Sequence, residues 1–148
     1  VPGYVVDNYV HDWFWLTSPT IDSTGAANLH LIFWRWLNSD YLPYMQNAVQ
    51  VKGPAGWTQV WESGESPPIQ DSKWVFQDFD VTEHAGPEFQ VRFGFTIPIT
   101  GAMPVSGWNV DDVMVVDQTP EEFKLCCDYV SDCQGLYSPG NCVSGTCE

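Results

Sequence analysis

Positively charged residues are scarce in this chain of 148 residues. Lys and Arg together number 5 against 19 Asp and Glu, which gives a formal net charge of −14 at pH 7. Such a surface repels phosphate backbones, so the composition argues against nucleic acid as a partner. Three interpretations of the acidity stay open: calcium ligation, solubility outside the cell, and a cationic partner.

Long apolar runs and the motifs of common enzymes are also missing. The sequence has no run of about 18 apolar residues, so no membrane span is predicted. It contains no Gly-x-Ser-x-Gly, no His-Glu-x-x-His and no phosphate-binding glycine loop. His11, His30 and His84 lack ligand spacing, and we expect His30 to be a core-edge histidine with one hydrogen bond. These absences predict a non-catalytic protein, although a glycosidase with paired carboxylates stays open.

Cysteine is absent from the first 125 residues, and all five cysteines lie near the C-terminus: Cys126, Cys127, Cys133, Cys142 and Cys147. Cysteine-dense modules belong to oxidising compartments, because they bury too little core to fold unaided. The spacing lacks the Cys-x-x-Cys pairs of zinc sites, so we predict two disulfides of unassigned connectivity in a secreted or cell-surface protein.

The odd cysteine has two interpretations. It either pairs with a cysteine outside this chain or stays a free thiol, and we favour the outside partner. Adjacent Cys126 and Cys127 should not pair with each other, because such a bridge is strained. Val1 is not an initiator Met and no signal peptide follows it, so we interpret the chain as a mature form or an excised fragment.

Short strand patterns fill the rest of the chain, and no segment keeps a helical period. Candidate strands cover residues 13–18, 29–37, 48–52, 57–62, 74–81, 88–95 and 113–116, and a weaker one over 4–10 could pair at a sheet edge. A Gly-Pro-Ala-Gly turn at 53–56 predicts a hairpin. This pattern predicts an all-β antiparallel β-sandwich, more specifically a jelly roll, over residues 1–117. A linker at 118–125 and a cysteine-rich module at 126–148 follow.

Two adjacent carboxylates, Asp111 and Asp112, enter the last of these strands. Burying them is costly unless a cation or hydrogen bonds hold them, so they are candidate calcium ligands. Neighbouring strand residues point to opposite faces, so at most one faces the core, and we favour Asp111. The alternative is that one of them caps loop amides without metal.

Six short phrases occur in a fixed order along the chain: Leu-Thr-Ser-Pro-Thr-Ile-Asp at 16–22, Leu-Ile-Phe-Trp-Arg-Trp at 31–36, Trp-Thr-Gln-Val-Trp at 57–61, Phe-Asp-Val-Thr at 79–82, Gln-Val-Arg-Phe-Gly at 90–94 and Gly-Trp-Asn-Val-Asp-Asp-Val at 107–113. The set resembles the MAM-like jelly-roll domains of secreted bacterial proteases and adhesins. Cleaved-adhesin and choice-of-anchor domains have a similar layout. The resemblance covers residues 13–117, and residues 127–147 resemble small disulfide repeats of bacterial cell-surface proteins.

This resemblance implies a β-sandwich, often with bound calcium, that serves adhesion, carbohydrate binding or stabilisation. It implies Asp22 as the distant partner of Asp111, with Asp112 and Asn47 as further ligand positions. The position of Asn47 is commonly Asp in such domains, which weakens a ligand role there. Family members also carry a further strand before the Ser-Pro phrase, and few residues precede that phrase here.

Eight tryptophans could include a sugar-stacking platform, because an aromatic face matches the apolar face of a pyranose ring. We expect Trp61 and Trp108 to be exposed ligand-binding residues, and the six tryptophans in or next to strands to be core residues: Trp13, Trp15, Trp34, Trp36, Trp57 and Trp74.

The leading functional prediction is an extracellular, non-catalytic adhesion or interaction module of a bacterial surface protein, with structural Ca2+ and a protein or glycan partner. The alternatives are a carbohydrate-binding module, a subunit of a surface assembly joined through the odd cysteine, and, ranked last, a hydrolase.

Overall fold

The computed structural model describes residues 10–118, 142–143 and 146–147. The strands are β1 (His11–Thr17), β2 (Leu29–Ser39), β3 (Gln46–Gly53), β4 (Gly56–Glu62), β5 (Ile69–Gln70), β6 (Val75–Asp80), β7 (Gln90–Ile97), β8 (Gly107–Asp117), β9 (Cys142–Val143) and β10 (Thr146–Cys147). A single turn of 3-10 helix, Thr82–His84, follows β6. Among the described residues, no helix is long and apolar enough to cross a membrane.

Residues 10–118 form two antiparallel sheets. The first has the order β1-β7-β3-β4, and in the second β2 pairs with β8 on one side and with β6 and the short β5 on the other. Buried side chains from both sheets meet in one core cluster, which includes Leu31 and Phe33 of β2 and Val49 and Val51 of β3. The predicted all-β antiparallel β-sandwich is confirmed.

Strand β7 shows how the sequence directs this packing. Val91 is buried, and Phe93 places its ring edge-on against Phe33 of the opposite sheet, with 5.2 Å between the ring centroids. Arg92, which lies between them, and Gly94, which follows Phe93, point to the outer face, as the two-residue period of a strand requires. Burial of one such aromatic side chain contributes roughly 1.5–3 kcal/mol to folding.

The predicted hairpin is confirmed as β3 and β4. Gly53 lies opposite Gly56 at its end, and Gly56 has φ = 101°, a conformation that residues with a Cβ rarely adopt. Gly53 faces a second constraint, since a Cβ there would lie 2.8 Å from the backbone of His84 in the 3-10 helix.

The position of the two aspartates in β8 differs from the prediction. The strand begins at Gly107, so Asp111 and Asp112 lie in its middle and not at its start. Trp34 pairs with Asp111 and Ile32 with Met114, which leaves a bulge at residues 112–113, and Asp112 has φ = 49°. Both aspartates are exposed, so the cost of burial that suggested a cation does not arise.

Several predictions concern the rest of the chain. Some of these predictions fall outside the described residues: positions 4–9 of the predicted edge strand, the linker from 119 onward, and Cys126, Cys127 and Cys133. The backbone of Cys142 pairs with that of Cys147 in the two-stranded ladder of β9 and β10. The disulfide pairing stays a prediction.

Candidate functional site

A row of stacked side chains crosses the outer face of the sheet β1-β7-β3-β4. We call Trp13, Trp15, Arg92 and Trp57 the Trp–Arg row. The guanidinium carbon of Arg92 lies 4.0 Å from the centroid of the Trp15 ring and 4.0 Å from that of the Trp57 ring. Trp13 stacks on Trp15, with 4.8 Å between centroids and 18° between ring planes. The row therefore joins residues of three strands, β1, β7 and β4, across the whole four-stranded sheet.

Gly94 makes room for this row. It lies opposite Trp15 in the pairing of β1 with β7, and the Trp15 ring covers it. A Cβ at this position would be 2.2 Å from a carbon of that ring, far closer than two atoms can approach. The absence of a side chain at residue 94 thus allows Trp15 to lie flat beside Arg92.

Polar contacts hold Arg92 in its position. Its Nε and Nη2 both donate to Oε1 of Gln50 on β3, the first at 2.9 Å. Partial burial lowers the pKa of Arg92 from its ordinary value, and the side chain stays charged at neutral pH. Each guanidinium–tryptophan contact contributes about 0.5–1 kcal/mol at an exposed site.

Amide side chains surround the row on the same sheet face. Val49, Val51 and Val91 point into the core, so alternation places the glutamines of β3 and β7 on the outer face. Gln59 of β4 is the register partner of Gln50 of β3. The outward set is Gln46, Gln50, Gln59 and Gln90. This face therefore combines aromatic rings with amides that can both donate and accept hydrogen bonds.

The predicted ligand-binding tryptophans are not part of this face. Trp61 and Trp108 are half-buried and pack against the core cluster, 5.9 Å apart between ring centroids. Trp57 and Trp74, which we expected in the core, are 36% and 39% exposed. The prediction that Trp61 and Trp108 are exposed while Trp57 and Trp74 lie in the core is therefore wrong.

A bulge in β4 explains this difference. Lys52 pairs with Trp57 and Gln50 with Gln59, but Val49 pairs with Trp61, so β4 has one extra residue at this point. In a regular strand, residues 57 and 61 would share a face, and the extra residue turns them to opposite faces.

A second feature is an apolar cleft of about 530 Å³ between the two sheets. Its walls include Phe14 and Leu16 of β1, Phe93 of β7, and Trp108 and Val110 of β8. The Trp108 Nε1 atom is buried and has no hydrogen-bond partner among the described residues. A buried N–H without an acceptor costs about 1–3 kcal/mol, so this donor stands out in an apolar setting.

The predicted calcium ligands do not converge. Asp22 lines a shallow pocket with Asp117, whereas Asp111 lies six residues earlier in β8, roughly 20 Å along the strand. Asn47 is buried in β3 and donates from Nδ2 to Oγ of Ser39 at 2.6 Å. Among the described residues, no three His, Cys, Asp or Glu side chains come close enough to hold a metal ion.

The carboxylates near the shallow pocket are already occupied by backbone N–H groups. Asp22 Oδ1 accepts from the Thr24 amide at 3.0 Å, and hydrogen bonds from Thr24 lower the pKa of Asp22. Asp117 Oδ1 accepts from the amides of Ala27 and Asn28. Asp22 and Asp117 therefore cap loop amides. The same role was the alternative to metal binding for Asp111 and Asp112, and Asp111 Oδ1 accepts from the Asp112 amide at 2.9 Å. The structure does not bring the predicted ligands together, and calcium binding stays a prediction.

The expectation for His30 is confirmed. It is buried at the edge of the core, and its Nδ1 lies 2.6 Å from Oδ1 of Asp78. His11 and His84 lie elsewhere, in β1 and in the 3-10 helix.

No protein-family model matches the chain, and no match was found among curated proteins. The Trp–Arg row and the apolar cleft are the features from which a function can be proposed.

Proposed function

We propose that this chain is an extracellular, non-catalytic module that binds neutral glycans through the Trp–Arg row. The observation that carries the proposal is the partly exposed ring of Trp57, held against Arg92 on a face lined with glutamines. The apolar face of a sugar ring stacks on an aromatic ring, and its hydroxyls need donors and acceptors beside it. Both requirements are met on one surface.

The charge of the chain supports a neutral ligand. A formal net charge of −14 repels glycans that carry sulfate or carboxylate groups. The formal net charge already counts Arg92, whose guanidinium lies between two tryptophan rings and donates to Gln50. The role of Arg92 in the proposal is to fix the rings.

Two sequence features support the extracellular part of the proposal. Cysteine-dense segments such as residues 126–147 belong to oxidising compartments. The ordered phrases that resemble MAM-like and cleaved-adhesin domains point the same way. Calcium is left out of the proposal, because the predicted ligands lie apart.

Affinity electrophoresis against a panel of soluble neutral polysaccharides tests the proposal. We expect Trp57→Ala to weaken binding ~30-fold or more, since an aromatic anchor contributes about 2 kcal/mol or more. Trp74→Ala is the matched control: it removes a tryptophan of similar exposure from beside the other sheet, and we expect unchanged retardation. Far-ultraviolet circular dichroism of both variants checks that the fold is kept.

Three results would contradict the proposal. One is a wild type that binds no neutral polysaccharide, and another is an equal loss of binding in Trp57→Ala and Trp74→Ala. Release of reducing sugar from a bound polysaccharide would show that the module is catalytic.

A further inference from the structure

The outer face of the second sheet, which contains β2, β5, β6 and β8, carries a group of aromatic side chains. Phe33 of β2 belongs to the core cluster, so alternation turns Trp34 and Trp36 to the outer face. Trp34 lies 5.2 Å from Phe76, its register partner on β6, measured between ring centroids. Trp36 meets Trp74 edge-on at 5.9 Å. Phe76 is 38% exposed and Trp74 is 39% exposed. Large apolar side chains that stay exposed together mark interaction surfaces.

Carboxylates border these rings. Asp111 of β8 is the register partner of Trp34, and Asp112 follows it in the bulge; both aspartates are exposed. Residues directly opposite each other in an antiparallel pair share a face, with their Cβ atoms about 4.5–5.5 Å apart, so Asp111 lies beside Trp34. Asp78 is also on this face, but His30 Nδ1 already lies 2.6 Å from its Oδ1. We call six residues the aromatic–acidic face: Trp34, Trp36, Trp74, Phe76, Asp111 and Asp112.

The strands of this face do not supply a cation to it. Arg35 is the one Lys or Arg in β2, β6 and β8, and its side chain contacts Asp71 and the ring of Trp61 on the other side of the sheet. Lys73 lies in the loop before β6, at one end of the face. On the first sheet, Arg92 stacks between two tryptophan rings. The aromatic–acidic face has comparable rings, and carboxylates in addition, without a guanidinium between them.

We propose that the aromatic–acidic face binds an arginine-bearing, extended segment of another protein. A guanidinium is planar, stacks on aromatic rings and pairs with carboxylates, and Trp34 and Asp111 offer both contacts side by side. The Asp112 amide donates to Asp111 Oδ1 at 2.9 Å, and a carboxylate accepts further hydrogen bonds beyond this one. A formal net charge of −14 attracts a cationic segment and repels a second copy of this chain.

The layout of the face favours a polypeptide over a single small cation. Ring pairs occur at two successive outward positions of β2, Trp34 and Trp36, which lie about 7 Å apart along the strand. An extended segment repeats its side chains on one side with the same spacing, so successive residues on that side of the partner can contact both ring pairs. Strand β2 already pairs with strands on both sides, so the contacts are made by side chains and not by backbone pairing.

Fluorescence anisotropy of a labelled peptide, titrated with the full chain, tests the proposal. The probe alternates Arg and Thr over about ten residues, which places every Arg on one side when the peptide is extended. Two control peptides replace each Arg by Lys or by citrulline, which has a similar shape and no charge. We expect the Lys peptide to bind about threefold more weakly, because an ammonium stacks less well on rings. The citrulline peptide should bind about tenfold more weakly or worse, because it forms no ion pairs.

A pair of double variants tests the role of the carboxylates. Asp111→Asn with Asp112→Asn should weaken binding of the Arg peptide about fivefold or more, since it removes both carboxylates beside the rings. Glu65→Gln with Glu88→Gln is the matched control, because it removes the same charge from two exposed carboxylates outside the face. We expect this control to change the affinity by less than about twofold.

A pair of single variants tests the role of the rings. Phe76→Ala should weaken binding of the Arg peptide about threefold, since it removes one ring of the face. Trp57→Ala removes a ring of similar exposure from the first sheet and should leave the affinity unchanged. It is also the variant that should lose glycan binding, so the two proposals are tested separately. Circular dichroism of all variants checks that the fold is kept.

Each other outcome overturns the assignment. A wild type that does not bind the Arg peptide has no such site. Equal affinities for the Arg and Lys peptides would show that the rings do not select a guanidinium. Equal losses in the two double variants would show that binding follows net charge alone. A loss in Trp57→Ala that matches the loss in Phe76→Ala would show that the peptide does not distinguish the two sheets.

Discussion

At the scale of single residues, Gly94 determines where the Trp15 ring can lie. We predict that Gly94→Ala destabilises the fold by about 1–3 kcal/mol, because the new methyl group must push the ring away from Arg92. Glycan binding should weaken as well. Urea unfolding measures the first effect and affinity electrophoresis the second. Gly64→Ala is the control, since a Cβ there meets nothing within 4 Å; equal stabilities of the two variants would contradict the prediction.

The hydrogen bonds of Asp80 lead to a prediction about the stability of the fold in acid. Its Oδ1 accepts from the Thr82 amide at 3.0 Å, and hydrogen bonds from Thr82 lower the pKa of Asp80 below 3.8. A carboxyl whose pKa is lower in the folded state contributes stability above its unfolded pKa, and this stability is lost as the pH falls through the folded pKa. We therefore expect acidification from about pH 5 to about pH 2.5 to destabilise wild type more than Asp80→Asn.

Urea unfolding at the two pH values measures this difference. Glu65→Gln, a change of an exposed carboxylate between β4 and β5, controls for the loss of one negative charge. If acid destabilises Asp80→Asn and Glu65→Gln by the same amount, the hydrogen bonds from Thr82 do not affect how the stability of the fold depends on pH.

At the scale of elements, a largely but not fully buried ion pair ties the segment between β5 and β6 to β2. Arg35 Nε donates to Asp71 Oδ2 at 3.0 Å and its Nη2 donates to Oδ1 at 3.1 Å, while the Leu37 amide also donates to Oδ2 at 2.8 Å. The two side chains are only 12% and 9% exposed. Loss of one partner would leave the other charge buried without compensation.

We predict that Asp71→Ala lowers the free energy of unfolding by about 3–5 kcal/mol. The matched control is Glu88→Ala, which removes the partner of Lys52 at 3.4 Å on the surface, where the Glu88 side chain is 76% exposed. That change should cost less than about 1 kcal/mol. Denaturant titration of both variants makes the comparison; similar costs would mean that the Arg35 pair is no stronger than the surface pair.

The elements also show how far sequence patterns reach. Alternation of apolar residues predicted β3, β4 and β7 and the hairpin turn, because these strands each bury one face. It could not predict the bulges in β4 and β8, since an extra residue is defined only against the partner strand. Those bulges decide that Trp57 lies outside, that Trp61 lies inside, and that Asp111 is exposed. The short β5 was missed for a similar reason, because its two residues pair only with the end of β2.

The functional face could be anticipated only in part. Tryptophan content suggested an aromatic platform, but the platform depends on contacts between three strands far apart in sequence. No local pattern relates Arg92 to Trp15 and Trp57. The motif Arg-Phe-Gly at 92–94 carried a signal, since a glycine inside a strand often marks close packing across it.

At the scale of the whole molecule, the excess of negative charge should govern the response to ions. A formal net charge of −14 makes the folded state repel itself, and dissolved salt screens that repulsion. We predict that CaCl2 and MgCl2 at matched ionic strength raise the Tm equally, because the predicted calcium ligands lie apart and Asp22 already accepts a backbone N–H. Thermal unfolding in each salt, with EDTA as the reference, measures this. A larger rise with calcium that Asp22→Asn or Asp111→Asn removes would demonstrate a specific calcium site, and would restore the ligand set that the sequence predicted.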